Sequence, residues 1–422
     1  MKNYSIKFLL LIVALAQIPV FAQSDKLEVL FKDRQYFDLR DAVNKYSGKD
    51  TPEILFYRGV VANRFNEPEE SIKFLQKYIE RAGKDAANLV DAHEILADNY
   101  TKTYEYGKAA DVYKLLLKRF KDKLDAAKTE DFKNVFGLWD ALRNIPRQSV
   151  SFGGDSTIQG LRDKAKLLNV PIKINNQKMD FVFDTGANIS TITSSTAAQL
   201  GLKIIESNVS VGSSTDKKVM SKLAFAPEIK LGSVNIRNAV FLVLDDKSLF
   251  FPQINYQING IVGFPLIESF GKVSLTRDNQ ILIAAKSEKI KAEPNMCLEG
   301  LTPLVAATYK NRRMIFAFDT GAVTSDFYRA FYKADEAEIK RLSSTEKMKV
   351  GGAGGFTEIT AYALKDLDLT VGGKTARFAK ARVTTEPTNE NSHYLYGNLG
   401  QDLINQFERM TLDFRAMQII FE

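Results

Sequence analysis

The sequence predicts a multidomain chain, with an N-terminal all-α domain of helical repeats followed by an all-β domain of two lobes. Three observations carry this. From residue 25 to about 135, apolar side chains recur at three- and four-residue spacing, as at Ile72, Leu75, Tyr78 and Ile79, which is the period of one helix face. From Leu167 onward the pattern changes to short β-rich runs bounded by Gly and Asn, the mark of strands and tight turns. Each of the two regions also contains an approximate second copy of itself. The expected division is a leader over 1–22, a helical domain over 23–145, a linker over 146–164, one β lobe over 165–290 and a second over 291–422.

The leader comes first. Lys2 and Lys7 give a positive start, residues 8–15 form a short apolar run, and Val20-Phe21-Ala22 offers small-residue cleavage after Ala22, as in an export signal. The apolar run is shorter than the roughly 20 residues a membrane span needs, and no Cys near the cleavage point offers a lipid anchor. The expectation is an exported protein, periplasmic or secreted, with no stable membrane span after cleavage. The net charge of +7 comes from Lys and Arg scattered among acids. Without a long basic run this reads as solvated surface, and no nucleic-acid partner is expected.

Within the helical region, ILFYRGVVANRFNEPEESIKFLQKYI aligns with EILADNYTKTYEYGKAADVYKLLL. Gly59 falls on Ala97, Ala62 on Tyr100, Ser71 on Ala109 and Leu75 on Tyr113. Small residues at such points let paired helices approach, and a bulky one fills the gap. The pattern resembles tetratricopeptide repeats with a longer loop. That resemblance implies a surface for a protein partner or, equally, a helical cap or spacer. Residues 137–165 hold Pro146, Gly153, Gly154 and Gly160 and read as a domain-joining stretch.

The β region repeats more closely. LLNVPIKINNQKMDFVFDTGA aligns with GLTPLVAATYKNRRMIFAFDTGA, and NGIVGFPLIESFGKVSL with YGNLGQDLINQFERMTL. Each copy delivers an acid at the end of an apolar strand. Burying a carboxylate is costly, so placing one there twice suggests that Asp184 and Asp319 meet. Gly186 and Gly321 are expected to supply unusual backbone angles and close approach, and Ala187 and Ala322 leave the carboxylates uncovered. Two lobes packed about a pseudo-twofold axis would bring the acids face to face. Such a pair holds one proton between them. One acid can then take a proton from water while the other donates to a substrate carbonyl oxygen. That chemistry needs no metal, no cofactor, no His and no covalent intermediate.

The rest of the composition agrees. Cys297 is the sole cysteine, so no internal disulfide forms. Beside Pro294 and Met296 it is expected in a connector, as a semi-buried small hydrophobe rather than a nucleophile. The two histidines, His93 and His393, stand too far apart in sequence for a His-rich zinc site and argue against a Ser-His-Asp triad.

The motifs Val182-Phe183-Asp184-Thr185-Gly186-Ala187 with Ile261-Val262-Gly263, and Ala317-Phe318-Asp319-Thr320-Gly321-Ala322 with Asn398-Leu399-Gly400, resemble those of the retropepsin-like aspartyl proteases of bacteria, here in a duplicated two-lobe form. The resemblance implies a pepsin- or retropepsin-like all-β domain acting as an aspartic endopeptidase on a peptide or protein substrate. In it Asp184 and Asp319 carry catalysis, and Thr185 and Thr320 lock the two turns together. Asn398 departs from the pattern where a hydrophobe is usual. Val323 departs where Asp or Asn is common, as at Asn188. The run MKVGGAGGFT, with Gly351, Gly352, Gly354, Gly355 and Phe356, resembles the substrate-binding flap of retroviral proteases; the lesser reading is a flexible Gly loop with no contact role. The first lobe's counterpart, VSVGSSTDKKV, has only Gly212, so unequal lobes are expected. Two other functions fit the chain: a non-catalytic peptide-binding protein, or an envelope scaffold acting through the helical repeats.

Overall fold

The computed structural model describes residues 20–212, 219–286, 292–352, 355–387 and 390–422. The expected leader lies outside these residues except for Val20, Phe21 and Ala22, which begin helix α1, Val20–Lys32.

A helical region precedes a β-rich one. After α1 come α2 (Tyr36–Asn44), α3 (Pro52–Arg64), α4 (Pro68–Arg81), α5 (Leu89–Lys102), α6 (Tyr106–Arg119) and α7 (Ala126–Ala141). Helix α3 starts where Thr51 accepts the Ile54 N–H and Pro52 takes the first position; Asp125 caps α7 in the same way through Lys128 N, at 2.7 Å. Such caps satisfy N–H groups that the helix leaves unpaired. Helix α3 packs on α4, α5 on α6 and α6 on α7. The small residue at position 59 is required, since a Cβ there would lie 2.7 Å from the Leu75 side chain. The Ser71 hydroxyl donates to the Gly59 carbonyl at 2.6 Å and accepts from Asn99 Nδ2 at 2.8 Å, tying α4 to α3 and α5. Among the described residues, no helix is long and apolar enough to cross a membrane.

The joining stretch 146–164 carries regular structure. Ser149–Phe152 pairs with the strand Val234–Leu244, and Ser156–Gln159 pairs with Gln280–Ile283. These strands are four residues long and their partners are remote, so local pattern alone shows only their Gly-rich flanks. Cys297 also departs from expectation. It lies in the strand Met296–Glu299, fully buried, and burial pushes its thiol well above the usual range.

The β-rich region has two large sheets, of nine and eight strands among the described residues, and a five-stranded sheet between them. Each large sheet contains the same core. In the first, the hairpin Leu168–Ile174 with Gln177–Phe183 turns at Asn175 and Asn176, both at positive φ. In the second, Thr302–Tyr309 with Arg312–Phe318 turns at Lys310 and Asn311, again both positive. Two such residues in a row suit the twist of a two-residue hairpin. The strand Gly260–Val262 then runs parallel to the first hairpin's second strand, with Ile261 opposite Val182, and antiparallel to Thr191–Thr193. Gly397–Leu399 does the same in the second sheet, with Asn398 opposite Ala317, and runs antiparallel to Asp326–Phe327.

The middle sheet is built from both halves. Its central pair is Lys272–Thr276 with Arg409–Asp413, and Ser274 stands opposite Thr411 with their hydroxyls 2.7 Å apart. Those two residues also correspond in the internal alignment. Phe181, Phe183, Phe316 and Phe318, which precede the acids in sequence, are fully buried, each contributing about 1.5–3 kcal/mol of burial. The strand leading into each acid is thereby held in the core.

The helical domain touches both halves. Tyr36 Oη donates to Glu299 at 2.7 Å, and the Arg34 guanidinium pairs with Glu299 and lies 3.5 Å from the Tyr394 ring centre. Asn66 Nδ2 donates to Glu268 at 2.9 Å, Tyr104 Oη to the Pro265 carbonyl at 3.2 Å, and Asn134 Nδ2 to the Ser210 carbonyl at 2.7 Å.

Candidate active site

The two Asp-Thr-Gly turns meet at the junction of the halves. Thr185 N donates to Thr320 Oγ1 and Thr320 N to Thr185 Oγ1, both at 3.0 Å. Each hydroxyl donates onward across the junction: Thr185 Oγ1 to the Phe318 carbonyl at 3.0 Å, and Thr320 Oγ1 to the Phe183 carbonyl at 2.9 Å. Both threonines are fully buried. Unsatisfied groups at such a site would each cost about 1–3 kcal/mol, so the four bonds fix the turns against one another.

This locking sets the carboxyls. Asp184 Oδ1 accepts the Gly186 N–H at 2.8 Å, and Asp319 Oδ1 accepts Gly321 N at 2.7 Å and Ala322 N at 3.1 Å. The glycines serve by their lack of a side chain. A Cβ on Gly186 would stand 2.5 Å from Asp319 Cγ, and one on Gly321 would stand 2.3 Å from Asp184 Cγ. Neither glycine has a positive φ, which corrects the expectation of unusual backbone angles; close approach is the whole reason.

The second motif in each half buttresses its turn. Asp184 N donates to the Val262 carbonyl and Asp319 N to the Leu399 carbonyl, both at 3.0 Å. Gly263 N donates to Ser190 Oγ at 3.0 Å, and Gly400 N to Ser325 Oγ at 2.9 Å. A Cβ on Gly263 would fall 2.7 Å from the Ala187 carbonyl oxygen, and one on Gly400 would fall 2.6 Å from that of Ala322. Ser190 and Ser325 were not singled out from sequence, although each ends the matching runs FVFDTGANIS and FAFDTGAVTS. Asn398, which stands out in the sequence only as a departure from the pattern, also lies at the site. Its Nδ2 donates to Asp319 Oδ2 at 3.3 Å, so the departure from the pattern touches the acid itself.

The electrostatics follow from the meeting. Asp184 has its proton affinity raised well above the ordinary carboxyl range. Loss of solvation is the main cause, followed by the charge of Asp319 and a hydrogen bond between the two carboxyls; the Gly186 and Ala187 N–H groups oppose it. Two acids this close do not both ionise readily.

Gly351 pairs with Phe356 and Gly352 with Gly355 in a hairpin of the strands Thr345–Gly352 and Gly355–Val371, part of the second sheet. Gly354 lies outside the described residues. In the first sheet the strands Lys203–Val211 and Val219–Leu231 form the matching hairpin, with Gly212 at its end and residues 213–218 outside the description. His93 is buried in α5 with Nδ1 2.7 Å from the Leu89 carbonyl, and His393 is exposed. Among the described residues, no cluster of His, Cys, Asp and Glu could hold a metal ion.

No curated protein matches the chain. Residues 170–266 match the family model described as aspartyl protease. The match opens in the first hairpin, takes in Asp184-Thr185-Gly186 and Gly263, and identifies that stretch as similar to an aspartyl protease domain, a hydrolase acting on peptides.

Proposed function

We propose that the protein is an exported aspartic endopeptidase of two-lobe form, in which residues 165–290 and 291–422 are two copies of one unit and Asp184 and Asp319 form a single active site. The observation that carries this is the reciprocal Thr185–Thr320 exchange, which ties the two acid-bearing turns together and so supports a pair of carboxyls sharing one proton. A water between them loses a proton to one acid and attacks the peptide carbonyl, whose oxygen takes a proton from the other. The hairpin bearing Gly351, Gly352, Gly354, Gly355 and Phe356 acts as a substrate flap, its backbone bonding to an extended peptide. The helical domain, a tetratricopeptide-like stack, recruits substrate or a protein partner. The leader over 1–22 directs the chain to the periplasm or beyond.

The test is incubation of the purified protein with a peptide library over a pH series, with Asp184→Asn as control. Cleavage by the wild type alone supports the reading. Absence of cleavage at every pH, with retained peptide binding, would replace it with a non-catalytic binder.

A further inference from the structure

The two halves differ beside their acids. Across the first sheet, Val182, Ile261, Thr191 and Leu242 stand side by side on neighbouring strands. The corresponding row in the second sheet is Ala317, Asn398, Asp326 and Arg382. Ile261 and Leu242 of one half are therefore matched by Asn398 and Arg382 in the other, and Thr191 by Asp326. The first row is covered: Val182 is buried in a small apolar cluster with Leu244, Leu249 and Ile258, against which Ile261 packs. In the second row the Arg382 guanidinium pairs with Asp326 and also donates to Thr324 Oγ1 at 3.2 Å.

Backbone donors favour Asp319, with the Gly186 N–H serving Asp184 and both the Gly321 and Ala322 N–H groups serving Asp319. The side-chain difference is Asn398, whose N–H reaches Asp319 Oδ2, where Ile261 stands in the first half with nothing to donate. A hydrogen bond to a carboxylate favours its charged form. The charged and titratable groups around this row are Asp184 facing Asp319, and Arg382, Asp402 and Asp319 facing Asp326. Asp326 is paired with Arg382, and the Asn398 donor adds to the two backbone N–H groups that hold Asp319 where Asp184 has one.

We propose that Asn398 is a positioning residue that keeps Asp319 as the ionised member of the pair and so assigns the proton to Asp184. This rests on the protease reading and divides its chemistry. Asp319 takes a proton from the water as the water oxygen bonds to the carbonyl carbon. The C=O π pair moves to the oxygen, which takes the Asp184 proton, giving a neutral gem-diol. Asp319 then passes its proton to the amide nitrogen as the C–N bond breaks, and a diol hydroxyl returns a proton to Asp184. The pair ends with the one proton it began with.

The experiment compares the pH dependence of kcat/KM for wild type and Asn398→Leu, a change of similar shape without the donor. The acid limb reports ionisation of the first acid in the free enzyme. Losing one charge-assisted donor should move that limb upward by about one pH unit, with about tenfold less activity on the limb and little change in the alkaline limb. An unmoved limb, or one moved downward, would overturn the assignment. Carbon-13 NMR titration of the Asp carboxyls in the wild type reads the same point without a variant. Asp319 should show the ionised shift while Asp184 still shows the protonated one, and the reverse order would overturn it. Should the wild type cleave no peptide, the protease reading fails, and the titration still decides which acid holds the proton.

Discussion

Gly186 and Asp319 approach so closely that one methyl group cannot fit between them: a Cβ at position 186 would lie 2.5 Å from Cγ and 2.6 Å from Oδ1 of the acid. Gly186→Ala therefore forces the first turn away from the second. A displacement near 1 Å at reacting groups costs about 10²-fold in rate, so peptide cleavage should fall by at least about that factor, with a lower thermal midpoint. Gly83→Ala, where a Cβ would meet nothing within 4 Å, should leave activity unchanged and serves as the control.

Asp184→Asn and Asp319→Asn should each abolish cleavage, and the double variant should be no worse than either, because residues acting as a unit are not additive. The threonine bonds join turns of one chain, so mixing the two inactive variants should restore nothing. Recovered activity on mixing would place the pair between chains instead.

The raised proton affinity of Asp184 links activity to stability. Its folded value lies above the unfolded one, near 3.9, so the native state binds the proton more tightly. That contribution is complete below the unfolded value and is lost as pH rises through the folded one. Asp184→Asn should therefore unfold at a higher temperature than wild type in mildly alkaline buffer, and the gap should shrink toward acid pH. Activity should peak in mildly acidic to near-neutral solution, since Ala187 and Ala322 offer no hydroxyl to ease ionisation, and decline as the shared proton leaves. An optimum confined to strongly acidic buffer would contradict this.

Glu268 meets Asn66 where the helical region joins the β-rich region, and burial there raises its proton affinity. By the same sign, it favours folding when protonated and costs stability once ionised. Glu268→Gln keeps an acceptor for Asn66, so it should raise the thermal midpoint at pH 7–8 and change little near pH 4. Differential scanning calorimetry at both values checks it.

If the leader is removed after Ala22, mass spectrometry of the protein from its host envelope should find a mature terminus near Gln23. Retention of residues 1–22 would contradict export by this signal.

The meeting of the acids was legible because its signals are local and doubled: each Asp-Thr-Gly sits in a short apolar run, and each has its Gly partner downstream. Ser190 and Ser325 were equally visible in those runs but lacked a chemical reason until Gly263 and Gly400 supplied one. Asn398 read as a mere irregularity because its partner is 79 positions away, beyond any local pattern. The strands at 149–152 and 156–159 looked like linker because four residues carry little periodicity, and their pairing depends on strands far along the chain. For Gly186 and Gly321 the sequence suggests both unusual backbone angles and close approach, and only the close approach is found, since a sequence does not distinguish a glycine needed for its φ from one needed for its missing Cβ.

The pairing of Ser274 with Thr411 also has a consequence for folding. It joins the strand Lys272–Thr276 to Arg409–Asp413, across 137 positions of the chain. Such a non-local pairing meets the entropy of closing a long loop before any contact rewards it, and so forms slowly. The neighbouring helices of the N-terminal region contact one another over short stretches of chain and should order sooner. The sheet that ties the two halves together, and with it the facing of Asp184 and Asp319, should therefore be among the slower events of folding.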